Sequence, residues 1–291
     1  MVDPATGALH RNQFRFCAPD RFRVRLHLSY DGTEFHGWQR QTAAGETTHI
    51  TGQGTIEAAV KQIFGESLSV VGASRTDTGV HAQMQVAHFD CGRDPTTFRD
   101  LRYSLQSLTP PSLVIKEAFL APRDFHSIAT SIDKTYRYSI LNRRVPSALR
   151  HRSTWWVREP LDLDHLNEAS QFLVGTHDFK SFQTSGTYVE STVRTILKAG
   201  WIRVGPHLDA LAADRDTLVF EIQGQGFLKQ MVRNIVGTLV DLQRLKRPPS
   251  DMRTILQALD RRKAGNTADP QGLFLTHVRY PPELDNQCRP L

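Results

Sequence analysis

Cysteine is scarce in this chain. Its three thiols, Cys17, Cys91 and Cys288, are odd in number, scattered, and nowhere arranged as CxxC. That excludes a disulfide framework and a cysteine-based zinc site, and a reducing cytoplasm is the expected home. No run approaches the ~20 apolar residues needed to span a bilayer. The opening MVDPATGALHRNQ lacks the basic-then-apolar layout of a secretion signal. Twelve histidines are present, but none falls in HExxH or another metal-ligand spacing, so no metal is expected. No internal repeat of fixed period is visible.

What the chain does have is a globular balance, 39% hydrophobic and 23% charged, with a formal net charge of +6. Arginine clearly outnumbers lysine. Planar guanidinium forks grip phosphate in a bidentate way, so a polyanionic partner fits the composition. A length of 291 residues suits two domains of moderate size.

The hydrophobic pattern organises the chain. Residues 1–20 read as a disordered N-terminal extension. FRVRLHLSYDG (22–32) alternates apolar and polar residues and predicts a strand. A helix is expected over 54–65, strands over 67–74 and 81–90, a second helix over 96–108 and a strand over 113–122. This β-α-β-β-α-β order predicts an antiparallel sheet with helices on one face, the ferredoxin-like plan shared with RNA-recognition modules. Beyond it, strands are expected over 133–142, 194–204, 217–226 and 272–282. Helices are expected over 163–175, 227–245 and 250–262, the last with Ser250 as N-cap. The fold class is therefore α+β, with domains over 21–124 and 125–282 and a tail over 283–291. A basic stretch, RRVPSALRHR (143–152), interrupts the second half.

GASRTDTGVH (72–81) falls on a strand-to-strand loop. Taken alone, Asp77 and Gly79 are ordinary turn residues. The loop nevertheless resembles the active-site loop of the tRNA pseudouridine synthase A family. Five further motifs agree in order and spacing: YDGTEFHGWQRQ (30–41), KTYRYSI (134–140), GTHDFKSF (175–182), GFLKQMVRNIVG (226–237) and GLFLTHVRY (272–280). The resemblance covers about residues 22–282. It implies two RNA-recognition-like α+β domains with an active-site cleft between them, in a homodimer that embraces one tRNA. It also implies isomerisation of uridine to pseudouridine at positions 38, 39 and 40 of the anticodon stem-loop, without metal or cofactor.

The resemblance assigns the site residue by residue. Asp77 matches the catalytic carboxylate, which acts as a nucleophile or removes a proton near C1′ and C6. A paired uridine is unreachable unless extruded, and Arg75 matches the residue that fills the vacated space; a plain phosphate contact is the alternative. Tyr136 matches the uracil-stacking tyrosine, with Tyr138 on the same strand face as competitor. Arg233 sits on the flank of its helix, about 130° from the centre of the apolar stripe, and matches the partner that orients Asp77. Leu273 and Leu275 match the apolar wall of the uracil pocket, with core packing as the other reading. His81 reads as structural.

Four positions depart from the family pattern: Thr78 after the aspartate, Met84 in place of glycine, Ile128 near an expected arginine, and Lys229 in GFLKQMVR. The connection over 42–54 is long. These departures bear on which RNA is served. The competing readings are the same chemistry on another RNA, or a non-catalytic RNA-binding relative.

Overall fold

The computed structural model describes residues 16–40, 49–184, 186–204 and 216–291. Most of the predicted N-terminal extension and most of the long 42–54 connection lie outside these residues. In chain order the elements are β1 (Phe22–Tyr30), α1 (Gly52–Phe64), β2 (Val71–Gly72), β3 (His81–Cys91), α2 (Leu101–Gln106), β4 (Leu113–Ala121), β5 (Asp133–Asn142) and β6 (Trp155–Val157). They continue with α3 (Leu163–Gln171), β7 (Gly175–Asp178), β8 (Val193–Val204), β9 (Thr217–Gly224), α4 (Met231–Arg244), α5 (Asp251–Gln257), β10 (Leu273–Arg279), α6 (Pro282–Asp285) and β11 (Arg289–Pro290). The architecture is mixed α/β, in two compact units. Of the described residues, one unit holds those from 16 to 133 together with 275–291, the other those from 134 to 274.

In the first unit the strands run β11-β4-β1-β3-β10, with the short β2 paired to β3. β1 is antiparallel to both neighbours, Leu26 facing Ala87 on one side and Ala118 on the other. Its apolar residues Val24, Leu26 and Leu28 are fully buried. The alternation in FRVRLHLSY places these residues on the core face, and the polar face is covered as well. Arg23 and Arg25 are also buried. Arg23 pairs with Asp90 at 2.7 Å. The Arg25 guanidinium lies 4.9 Å from the Phe125 ring centre and 4.7 Å from that of Tyr280, and pairs with Asp285 at 2.5 Å. Strand alternation identifies the faces but not what covers the polar one. Part of the cover is the segment read as a tail, which forms α6 and β11 and closes the edge of β4, Arg289 facing Leu120. Residues 16–20, grouped by sequence with the extension, are anchored: Cys17 N–H donates to the Arg123 carbonyl at 3.1 Å.

Several element lengths differ from expectation for identifiable reasons. The strand expected over 67–74 keeps only two ladder residues, because side chains satisfy its flanks: Glu57 accepts from Val70 N–H at 3.1 Å, and Gln85 takes Ser74. The helix expected over 96–108 splits into a 3-10 turn capped by Asp94 and α2 capped by Asp100.

In the second unit β9 lies between β5 and β8, β7 follows β8, and β6 runs parallel to β5. α4 starts at Met231 rather than at residue 227, because Gln230 takes a left-handed conformation (φ 58°). Leu259 (φ 51°) ends the α5 region early. Ser250 occupies the N-cap position of α5 but makes no capping hydrogen bond, its backbone being already helical. α3 stops at Gln171, and the unpredicted β7 begins at Gly175 (φ 112°).

Candidate active site

The loop from Ala73 to Val80 leaves β2 and is held from both ends. At its start the buried Gln85 side chain stands in for a strand peptide. Its carbonyl oxygen accepts from Ser74 N–H at 3.2 Å and its amide donates to Ser74 O at 2.7 Å. Thr76 is buried; its Oγ1 lies 2.8 Å from the Tyr30 hydroxyl, and its carbonyl accepts from Trp38 N–H at 3.0 Å. With Thr76 turned inward, Arg75 is exposed and Asp77 half-buried. Past Asp77 the chain turns sharply: Val80 N–H donates to Asp77 O at 3.1 Å, Gly79 has φ 77°, and its N–H donates to Phe35 O at 3.3 Å. His81 is buried, its Nδ1 accepting from Gly32 N–H at 3.0 Å.

Glycines let this support approach closely. A Cβ on Gly32 would stand 2.0 Å from Val80 O, and one on Gly37 (φ 85°) 2.7 Å from Thr76 O. The Trp38 indole is clasped between Gly52 and Gly72, where an added Cβ would come within 2.9 and 2.3 Å of it, and it stacks on Tyr30 at 6.0 Å. The motif YDGTEFHGWQ is thus the bracket under the Asp77 loop. Sequence reasoning recognised the motif without assigning its residues. The signal was two glycines interleaved with Tyr30, Phe35 and Trp38.

The other sequence-predicted residues, Leu275 apart, lie in the second unit. Tyr136 on β5 is 6% exposed, its ring edge-on to Phe227 at 5.1 Å. Tyr138 is fully enclosed. Its hydroxyl donates to Asp269 O at 2.6 Å, and its ring lies so close to Gly272 that a Cβ there would meet it at 2.6 Å. Burial, reinforced by the Asp269 charge, pushes its phenol well above the ordinary range. Tyr138 is therefore committed to the core. Leu273 is buried, at the start of β10. Leu275 belongs to the first unit and is fully enclosed.

Arg233 is half-buried on α4 and clamped to the segment leading into β10. Its Nε donates to Ala268 O at 2.8 Å, and Ala268 N–H donates back to Arg233 O at 3.1 Å. Asn234 beside it is fully buried and satisfied, donating to Phe182 O at 2.8 Å and accepting from Thr267 Oγ1 at 2.6 Å. A Cβ on Gly237 would lie 1.8 Å from Asn266 O, so the segment rides directly on the helix. Motifs GTHDFKSF and QMVRNIVG meet here, around the base of Arg233. Gln230, held in a left-handed conformation, immediately precedes α4.

Of the departures, Thr78 and Lys229 are exposed, and Met84 and Ile128 half-buried. Among the described residues, no group of three or more His, Cys, Asp or Glu is placed to hold a metal ion, and no helix is long and apolar enough to cross a membrane.

The loop thus presents a half-buried aspartate, with an exposed arginine two residues before it, on a segment pinned from both ends. The family model described as tRNA pseudouridine synthase matches residues 27–128 and 169–281. The chain is 47% identical to tRNA pseudouridine synthase A of Bdellovibrio bacteriovorus, over 91% of its own length and 98% of that protein's. It is 42% identical to the protein of that name from Brevibacillus brevis, over 89% and 99%. For that from Acetivibrio thermocellus the identity is 39%, over 88% and 99%. The chain belongs to the tRNA pseudouridine synthase family, and is an isomerase acting on tRNA uridine.

Proposed function

We propose that this isomerase acts at positions 38, 39 and 40 of the tRNA anticodon stem-loop, with Asp77 as its catalytic carboxylate. The observation that carries the reading is the Asp77 loop. Thr76 and Gly79 are hydrogen-bonded to the bracket from Tyr30 to Trp38, so the backbone that carries Asp77 between them is pinned on both sides. The reaction is an isomerisation and needs no external reagent. The N1–C1′ bond breaks, the uracil rotates, a C5–C1′ bond forms, and the C5 proton is released while N1 gains one. Asp77 attends C1′ through this exchange. Arg75, exposed beside it, takes the space of the extruded uridine. Arg233, its Nε fixed on Ala268, holds the carboxylate ionised and oriented. Tyr136 stacks on the uracil, and Leu273 and Leu275 supply the apolar wall. The ferredoxin-like plan is assigned to the first unit on the strand order β4-β1-β3, with β2 on β3. The family resemblance also favours a ferredoxin-like plan for the second unit and a cytoplasmic homodimer.

The test is tritium release from C5-labelled uridine in whole-cell tRNA, followed by mapping of the modified positions. Release with pseudouridine at 38–40 is expected. Binding of tRNA without release would mark a non-catalytic RNA-binding relative, and modification of other RNA only would move the activity to that substrate.

A further inference from the structure

The connection between β5 and β6 is a surface the chemistry above does not use. From Arg143 to Arg158 the chain carries five arginines and no acidic residue, a formal +5 against +6 for the whole chain. The segment is built rather than loose. Arg143 Nε donates to Val145 O at 2.7 Å, Thr154 Oγ1 to Arg150 O at 2.9 Å, and the Trp156 indole N–H to Arg143 O at 2.8 Å. These bonds draw Arg143 and Arg150 partly inward and leave Arg144, Arg152 and Arg158 exposed, together with Leu149 (93%) and Trp156 (40%). Arg144, Arg152 and Arg158 form no salt bridge among the described residues. The first acid after the segment, Glu159, is already paired with Arg244 at 3.1 Å.

We propose that this connection is a second tRNA-contact surface, taking backbone phosphates outside the catalytic site. Guanidinium forks suit phosphate oxygens. An exposed indole whose N–H is already satisfied offers its ring face for stacking on an unpaired base. The exposed Leu149 alone would suit a protein partner equally well. The charge decides against a second copy of this chain, because a two-fold contact sets the same arginines of each copy against one another. The proposal rests on tRNA being the substrate, and it assigns these residues to affinity, not to the chemical step.

The test is the double variant Arg144→Gln/Arg152→Gln, with an unmodified tRNA transcript as probe. Each phosphate contact contributes about 0.9 to the slope of log affinity against log salt. Loss of two contacts therefore flattens the slope by about 1.8 and raises Kd about 60-fold at 0.1 M salt. The single-turnover rate at saturating enzyme stays at the wild-type value, and Arg144→Lys/Arg152→Lys keeps the slope. An unchanged slope and Kd overturns the proposal. So does a change of oligomeric state in sedimentation, which marks the surface as a protein interface. A wild type that binds tRNA but forms no pseudouridine defeats the catalytic reading, while the salt slope still decides this one.

Discussion

Gly37 touches no substrate in this account, yet its replacement by alanine tests how Asp77 is held. Its φ of 85° costs an L-residue about 1–2 kcal/mol. The new Cβ would lie 2.7 Å from the Thr76 carbonyl, where ordinary contact begins at 3.4 Å. The Thr76–Asp77 peptide must therefore retreat by about 0.7 Å, at an overpacking cost of roughly 1–3 kcal/mol. Together these predict a stability loss of about 2–5 kcal/mol and a melting temperature lower by roughly 4–20 °C. A displacement approaching 1 Å at a reacting group costs on the order of 100-fold in rate, so kcat should fall between ten- and 100-fold. The tRNA Kd should stay within about twofold, because no charge changes. Gly65→Ala is the control: Gly65 has φ 74° but nothing within 4 Å of the added Cβ, so it carries the backbone strain without the displacement. The assays are thermal unfolding, filter binding and single-turnover pseudouridine formation. Wild-type kcat in Gly37→Ala, or equal losses in both variants, would refute the reasoning.

Three further outcomes are expected. Arg233→Ala should lower turnover at least 100-fold with little effect on the salt slope of tRNA binding, since the arginine is assigned to the carboxylate; a flattened slope would reassign it to phosphate. Tyr138→Phe should cost about 0.5–1.5 kcal/mol by unfolding titration, leaving Asp269 O without its donor, and should keep kcat; a kcat loss as large as that of Tyr136→Ala would reverse the two tyrosines' roles. His88 is held well below the usual histidine range by burial, then by Arg23 and His126, and His126 is pushed down to about 4 by burial, then by Arg23. Both are neutral when folded, so the unfolded chain binds the extra protons. Stability should therefore fall as pH drops from about 6.5 towards 4, and melting curves across that window should flatten in His126→Asn.

Much of the fold was legible because strand alternation and helical stripes are local signals. β1, β3, β4, β5, β8 and β9 begin and end close to expectation. What the pattern does not carry is who satisfies a backbone group across the chain. β2 was overextended because Glu57 and Gln85, distant in sequence, take its ladder partners. The burial of Arg25 has no local signal because its cover, Tyr280 and Asp285, arrives from the C-terminal segment. At the candidate site, Asp77 stands out by motif company rather than by its own neighbourhood, which reads as a turn. The motif favours Tyr136 over Tyr138, but the bond of the Tyr138 hydroxyl to the Asp269 carbonyl has no local signal. The role of Gly32, Gly37 and Trp38 lies in close approaches to Val80, Thr76 and Gly72, partners distant in sequence that no local pattern indicates.

The central claim is that Asp77 performs the chemistry and the bracket merely aims it. The most direct measurement is single-turnover pseudouridine formation by Asp77→Asn under conditions where tRNA binding is shown to be intact. The account predicts full binding and no detectable product, at any enzyme concentration or pH. Product formed at a rate within tenfold of wild type would contradict it and move the catalytic carboxylate elsewhere.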